Sequence, residues 1–265
     1  MKNSSKLALA AATVAAFTVP IFSSGLKRDL TFTQWILNHT KWGPVPMYIP
    51  REMVITQGLD YGPDEFGIRH VVANGQDQYR AMKRLNYEEY DLREWVTPDD
   101  PIVKEYSCML WDPDPDRFTL RCWYWVCSEF PYRGELLDYW RFPTETLVSH
   151  QQYDEEMTIY SEMRLPTLPP RSPGGDCEDL SFTLASILIA GGVDAYVDIG
   201  LYGRLKHAWV TVFRNGSEYI LEATLSGRTV EVMLDAEPWL PAEDCGLYCA
   251  SYRFNNIAVN HLTNP

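Results

Sequence analysis

The chain has 265 residues, of which 46% are hydrophobic and 22% charged, so it can bury a full core, and its composition argues against disorder. A formal net charge of −13 argues against nucleic-acid phosphate or an anionic membrane surface as the main partner. The length and the composition are those of an ordinary globular protein of one or two domains.

The first 25 residues resemble a secretory signal. Lys2 and Lys6 precede an uncharged run over residues 7–24, and Ser23 and Gly25 are small enough for a cleavage site. As a signal, residues 1–25 predict export to the periplasm or the cell exterior; otherwise the protein is expected to be cytoplasmic or virion-associated. A membrane span needs about 20 apolar residues. Membrane contact is therefore expected only through an uncleaved N-terminal segment.

Residues 26–99 predict an N-terminal extension that packs on the domain after it. Prolines, glycines and tryptophans interrupt its short apolar pieces, which favours extended segments and loops over long helices. Within this extension, residues 76–84 predict a short helix.

Two helices are predicted next. The Pro-Asp-Asp-Pro sequence at 98–101 is a good helix start, so residues 102–110 are expected to be helical, and a second helix is predicted over about 117–130. Between them, the acidic run 112–116 alternates carboxylates as a calcium loop does. It lacks the Gly and the distal Glu of such a loop, so it predicts a solvated turn, and neither a metal nor another cofactor is expected.

The candidate chemistry lies in residues 174–224. Gly-Gly-Asp-Cys-Glu-Asp at 174–179 begins a helix with an apolar run over 180–190, which two glycines end, and a strand is predicted over 193–200. Cys177, in the first turn, lies near unpaired backbone N–H groups and the positive end of the helix dipole, which favours a thiolate. Glu178 and Asp179 oppose this effect, because negative neighbours raise the pKa of a thiol.

A β-hairpin is predicted after this strand, with arms over 207–213 and 218–224. Its centre, Asn215-Gly216, is the preferred pair for a two-residue type I′ turn. In that register Trp209 lies opposite Glu222, so His207 is a diagonal neighbour of Glu222 on the same face, at roughly 7 to 8 Å. A three-residue loop would place His207 and Glu222 on opposite faces.

A thiol, an imidazole and a carboxylate that orients the imidazole form the set used for covalent acyl transfer. Here Gly-Asp-Cys-Glu-Asp precedes an apolar helix, and His-Ala-Trp-Val and Leu-Glu-Ala-Thr follow on two strands. This pattern resembles the bacterial transglutaminase-like cysteine peptidase family. The resemblance implies an α+β papain-like fold of transglutaminase type, with the nucleophile helix packed on an antiparallel β-sheet. It assigns Cys177 as nucleophile, His207 as general base and Glu222 as third member, where Asp is more usual.

The segment 138–147 resembles the Trp-x-x-Pro-x-Glu-Thr-Leu sequence that precedes the catalytic helix in this family. The resemblance implies that Trp140, with the backbone N–H of Cys177, contributes to an oxyanion hole. It covers about residues 100–225, so a transglutaminase-like domain is predicted over 100–226. The implied substrate is a protein or peptide, without a cofactor.

Two segments extend this domain. Residues 148–173 form an insertion that predicts a helix followed by a stiff, proline-rich connection, which either covers the cleft at Cys177 or is a surface excursion. Residues 227–265 predict a C-terminal wrapping segment, with a strand over 227–232.

Of the six cysteines, five remain if Cys177 stays a thiol, and five cannot all pair. Cys245 and Cys249 are expected either to form a disulfide or to stay reduced.

The predicted function is thiol-dependent acyl transfer on amide bonds through a Cys-His-Glu triad. Water as acceptor gives hydrolysis, and an amine gives protein crosslinking; hydrolysis is favoured, because crosslinking requires a site that excludes water. A cell-wall amidase of the NlpC type, with the same residue order, is one alternative. A structural or virion protein that keeps the fold without turnover is another.

Overall fold

The computed structural model describes residues 63–73, 76–83, 88–134, 140–163, 173–236 and 238–262. The candidate signal over 1–25 and much of the N-terminal extension therefore lie outside the described residues. Apart from the last two residues of the first strand, every described element belongs to one compact unit, Tyr61–Val71 and Gln76–Pro265. Helices and antiparallel strands segregate within it as an α+β fold.

The described part of the extension forms a small sheet. Strands β1 (Ile68–Ala73), β2 (Gln76–Lys83) and β3 (Glu88–Asp91) lie side by side in that order. The predicted helix over 76–84 is wrong, because this segment is β2 and pairs antiparallel with β3. A piece this short has little helical stability of its own, so strand pairing decides its conformation. A 3₁₀ turn, Leu92–Trp95, follows and is capped by Asp91 and Glu94.

Both helices predicted after residue 97 are confirmed. Helix α1 (Pro101–Leu110) and helix α2 (Pro115–Glu129) each begin at a proline, and the side chains of Asp100 and Asp114 accept hydrogen bonds from backbone N–H groups of the first turns. The acidic run between them thus supplies a helix cap. In the described ranges, no group of three or more His, Cys, Asp or Glu side chains is placed to hold a metal ion.

The helix predicted in the insertion is present but begins earlier. Helix α3 (Pro143–Met163) starts in the preceding segment, where the carboxylate of Glu145 accepts a hydrogen bond from the N–H of Phe142 at 2.8 Å. The proline-rich connection, residues 164–172, lies outside the described residues. None of the helices in the described ranges is long and apolar enough to cross a membrane.

Helix α4 (Cys177–Ala190) is the centre of the core. From Leu180 to Leu188 every residue is buried, and α1, α2 and α3 all pack around this helix. It ends at Gly191, where a Cβ atom would lie 2.2 Å from the ring of Phe118 on α2. The glycine therefore stops the helix and also permits the close approach of α2.

The other face of α4 packs on a six-stranded sheet. Its strands run antiparallel in the order β7-β6-β5-β4-β8-β9. Their bounds are β4 (Ala195–Tyr202), β5 (Leu205–Arg214), β6 (Ser217–Leu221), β7 (Leu240–Pro241), β8 (Tyr248–Phe254) and β9 (Val259–His261). The predicted α+β class, with the Cys177-bearing helix on an antiparallel sheet, is confirmed.

The hairpin register is also confirmed. Arg214 pairs with Ser217, and Val210 pairs with Leu221. Asn215 and Gly216 have φ values of 52° and 81°, the two positive values that a type I′ turn requires. The loop therefore has two residues, as predicted, and this length sets the strand register on which the contact between His207 and Glu222 depends.

The C-terminal prediction needs a correction, because residues 227–232 belong to a helix, α5 (Gly227–Ala236), and not to a strand. The Ser226 hydroxyl accepts a hydrogen bond from the Thr229 N–H, and a Cβ atom on Gly227 would lie 2.2 Å from the hydroxyl oxygen of Ser128 on α2. Capping and contact with α2 thus fix the helix, although Val230 and its neighbours favour strands. The remaining tail supplies β7, β8 and β9.

Candidate active site

The chain reaches Cys177 through a tightly held glycine pair. The carbonyl of Gly175 accepts a hydrogen bond from the Arg133 N–H at 2.8 Å, and the carbonyl of Gly174 accepts one from the Arg141 guanidinium at 2.8 Å. A Cβ atom on Gly174 would lie 2.5 Å from the carbonyl oxygen of Pro131. This packing fixes the start of α4, and therefore the position of its first residue, Cys177.

The thiol of Cys177 has a polar neighbour on each side. Its Sγ donates to the carboxylate of Glu178 at 3.0 Å, and the backbone N–H of Ala208 is close enough to favour the thiolate. Burial raises the pKa of Cys177 well above its usual value, and the charges of Glu178 and Asp176 raise it further. The Ala208 N–H lowers the pKa but does not outweigh these effects. The resting side chain is therefore a neutral thiol, contrary to the expectation from the helix end alone.

The second acidic neighbour points elsewhere. Asp179 is fully buried, accepts a hydrogen bond from the Arg141 N–H at 2.7 Å, and forms an ion pair with the Arg141 guanidinium at 3.8 Å. Its charge is thus directed at the segment before α3. Of the two carboxylates that follow Cys177 in sequence, only Glu178 contacts the thiol.

His207 and Glu222 are in direct contact. The Nε2 atom of His207 lies 2.7 Å from Oε2 of Glu222, and both residues are buried. Burial alone would raise the pKa of Glu222, but the charge of His207 and hydrogen bonds from His207 and Thr224 lower it below its usual value. Glu222 is therefore ionised and can only accept, so Nε2 is the donor. This leaves Nδ1 as the ring nitrogen that can accept a proton.

Three predicted residues thus lie on adjoining parts of the fold. Helix α4, which begins at Cys177, packs on β5, the strand that carries His207. Tyr132 borders the same place: its pKa is raised by burial first, and then by electrostatic interaction with Cys177, Asp176, Glu178 and Glu222. Its backbone also pairs with Gly175. No local sequence pattern identifies Tyr132, because its position depends on this contact with a distant segment.

The carboxylate of Glu222 has further donors. Its Oε1 accepts from the Thr224 N–H at 3.0 Å and from the Thr224 hydroxyl at 2.6 Å, while Oε2 also accepts from the Tyr248 hydroxyl at 2.9 Å. The indole of Trp123 donates to the Glu222 backbone carbonyl at 2.9 Å. Thr224 could be found from sequence, because it belongs to the Leu-Glu-Ala-Thr segment. No local pattern identifies Tyr248, which the pairing of β8 with β4 brings to the site.

Trp140 belongs to an aromatic cluster that packs against α4. Its ring meets Trp95 at 5.3 Å and 77°, and Phe182, five residues after Cys177, at 5.3 Å and 63°. Trp140 is itself buried. Its predicted contribution to an oxyanion hole stays a prediction.

The cysteines at the C-terminal end of the sheet are not joined. Cys245 and Cys249 form no disulfide, and the Cys245 thiol donates to the Pro241 carbonyl at 3.1 Å. Of the two expected states, the structure has the reduced one.

The sequence matches no family model and none of the curated proteins. Solved structures of LapG from Legionella pneumophila are distantly similar. The EGTA-treated form shares 16% identity with a TM-score of 0.42, over 59% of this chain and 72% of LapG. The calcium-bound form shares 17% identity with a TM-score of 0.40, over 60% of this chain and 74% of LapG.

Proposed function

We propose that this protein is a thiol-dependent acyltransferase on amide bonds, a cysteine peptidase or amidase, which uses Cys177, His207 and Glu222. The observation that carries the proposal is the buried His207–Glu222 contact of 2.7 Å, together with a thiol on the first residue of a helix that packs on the strand of His207. This arrangement supplies a nucleophile, a base and a group that orients the base. The proposed substrate is a protein or peptide.

The neutral thiol determines how the reaction begins. As the Cys177 sulfur attacks the substrate carbonyl carbon, Nδ1 of His207 takes the thiol proton, and the carboxylate of Glu222 stabilises the imidazolium that forms. The imidazolium then protonates the leaving amine as the C–N bond breaks, which leaves a thioester. His207 next takes a proton from water, whose oxygen attacks the thioester carbon. The regenerated imidazolium returns a proton to the Cys177 sulfur as the C–S bond breaks, which releases the carboxylic acid.

Two further groups are assigned by the proposal. The backbone N–H of Cys177 and the side chain of Trp140 stabilise the oxyanion that forms during attack. The thiol must give up its hydrogen bond to Glu178 before its proton can pass to His207, so substrate binding is expected to break the contact of 3.0 Å between Cys177 and Glu178.

Glu222 departs from the Asp that is usual in the family pattern. Its side chain is one methylene longer, and such length adds rotamer freedom that would weaken control of the imidazole. Thr224 offsets this freedom by donating two hydrogen bonds to Oε1, while Oε2 faces His207. The longer carboxylate is thus held on both oxygens and fits the role of third member.

The test is cleavage of a mixture of synthetic peptides that together contain all common residue pairs. Mass spectrometry should detect new peptide termini with the wild-type protein and none with Cys177→Ala, because the alanine variant lacks the nucleophile. Addition of a primary amine separates the two acceptors: acid products indicate hydrolysis, and amide products indicate transamidation.

The control for this test is Cys108→Ala, which removes an exposed thiol on α1 and should cleave like the wild type. Equal thermal unfolding of the three proteins shows that the comparison concerns chemistry and not folding. Products that persist in Cys177→Ala would contradict the proposal. The absence of products from every peptide would favour the non-catalytic scaffold.

A further inference from the structure

We propose that Tyr248 is a positioning residue that holds the carboxylate of Glu222 against His207. This inference rests on the proposed acyl transfer and names an additional residue required for it. The Tyr248 hydroxyl donates to Oε2 of Glu222 at 2.9 Å, and the same oxygen accepts from Nε2 of His207 at 2.7 Å. Two donors therefore converge on one carboxylate oxygen.

The backbone of Tyr248 is fixed by the sheet. It is the first residue of β8 and pairs with Tyr202 of β4, while its N–H donates to the Cys245 carbonyl at 2.9 Å. The neighbouring Leu247 carbonyl accepts a hydrogen bond from the Gly203 N–H at 2.7 Å. The turn before β8 is thus tied to the turn between β4 and β5, the strand that carries His207.

The ring of Tyr248 is fixed by packing. It meets the buried ring of Trp209 at 5.0 Å and 72°, and the His207 ring lies 6.4 Å away. Tyr248 also packs against a buried cluster of Trp209, Ile220 and Cys245. A ring held on several sides loses little further entropy when its hydroxyl forms a hydrogen bond, so the donor is preorganised toward Glu222.

The hydroxyl remains a donor throughout the neutral range. Burial raises the pKa of Tyr248 well above its usual value, and the charge of Glu222 and its hydrogen bond raise it further. Four hydrogen bonds hold the two oxygens of the Glu222 carboxylate. Thr224 donates two to Oε1, and His207 and Tyr248 each donate one to Oε2. Such a carboxylate cannot rotate away when His207 becomes an imidazolium, so Nε2 keeps its proton and the orientation of the His207 ring stays fixed.

The test is Tyr248→Phe, which keeps the ring and removes only the hydroxyl. Acylation of the thiol by p-nitrophenyl acetate is expected to slow about tenfold, as for loss of a hydrogen bond to a charged group. In protein labelled with ¹⁵N-histidine, the His207 ring is expected to change from a single Nε2–H tautomer to a mixture, with the His207 signals assigned from His207→Gln.

Tyr252→Phe is the matched control. It lies on the same strand, and its hydroxyl also donates to a carboxylate, that of Asp64, away from the triad. Acylation and the His207 tautomer should not change in this variant. A second comparison uses Glu222→Gln: if Tyr248 acts through Glu222, adding Tyr248→Phe to that variant should slow acylation less than twofold, about the limit of additive error.

The outcomes separate the two proposals. If Tyr248→Phe keeps both the wild-type acylation rate and the single tautomer, Tyr248 is not a positioning residue, and the proposed function is unaffected. If wild-type Cys177 is not acylated, the proposed function fails. The tautomer measurement then still decides whether Tyr248 orients His207 through Glu222.

Discussion

The protonation state of Cys177 is decided by its immediate neighbours. The first turn of a helix and the Ala208 N–H favour a thiolate, whereas burial, Glu178 and Asp176 favour the neutral thiol. Burial is the largest of these effects, and the raised pKa shows that the second group prevails. In the proposed mechanism, activation therefore depends on His207 as a general base during attack, and a preformed thiolate–imidazolium pair is not required.

Replacement of Glu178 tests this balance. Glu178→Gln removes the negative charge that raises the pKa of Cys177, so that pKa should fall and thiolate should form at lower pH. At neutral pH, alkylation of Cys177 by iodoacetamide is expected to accelerate about three- to tenfold, since one pKa unit changes the thiolate fraction tenfold. Peptide mapping of the alkylated protein gives the rate at this cysteine alone.

Glu231→Gln, on the exposed face of α5, makes the same change in net charge away from the site and serves as its control. An alkylation rate that is unchanged or slower in Glu178→Gln, with the control at the wild-type rate, would show that Glu178 does not raise the pKa of Cys177.

The candidate site could be predicted only in part. Cys177, His207 and Glu222 follow from local sequence, since a helix start and a two-residue turn determine where their backbones lie. The orientation of Asp179 toward Arg141 and the position of Tyr248 do not follow from it. Both depend on contacts between segments more than 25 residues apart, as the residue numbers show, and no local periodicity encodes such contacts.

At the scale of elements, the hairpin determines how His207 and Glu222 meet. Its type I′ turn brings Val210 opposite Leu221, so that Glu222 follows the end of β6 on the side of His207. A slip of one residue would turn His207 to the other face of the sheet. The turn is therefore where a sequence change should affect stability without any contact to the site.

Gly216→Ala should destabilise the protein by about 1–2 kcal/mol, because Gly216 has a φ of 81°, which disfavours a Cβ atom. Urea unfolding measures the free energy. Gly246→Ala is the matched control: Gly246 has no neighbour within 4 Å of the added Cβ and no positive φ, so its effect should be within about 0.5 kcal/mol. Equal stability of the two variants would show that the turn does not constrain the hairpin.

Helices with strong start signals were predictable, and short segments with weak periodicity were not. Residues 101–110 and 115–129 begin with capping aspartates and proline, which specify the helix locally. Residues 76–83 and 227–236 lack a comparable pattern. The first becomes a strand by pairing with β3, and the second becomes a helix by packing on α2, so tertiary contacts decide both.

At the scale of the whole molecule, the C-terminal tail completes the sheet that carries His207. Strand β8 pairs with β4, and Arg253 of β8 forms a two-pronged ion pair with the buried carboxylate of Asp198, at 2.8 Å for each contact. Arg253 also contacts Glu218 of β6 at 3.0 Å. Arg253 thus joins β8 to β4 and to β6. These contacts hold β8 in the sheet and so place Tyr248 next to Glu222, which lies 26 residues before it.

In the proposed mechanism, Cys177 forms a thioester with the acyl group of the substrate, and His207 acts as the base that takes the thiol proton. Peptide mapping after brief exposure to p-nitrophenyl acetate tests this most directly. The acetyl group should appear on Cys177 before it appears on exposed Cys108, and His207→Ala should slow acylation of Cys177 by about a hundredfold or more. Acylation of Cys108 ahead of Cys177, or an unchanged rate at Cys177 in His207→Ala, would contradict the claim.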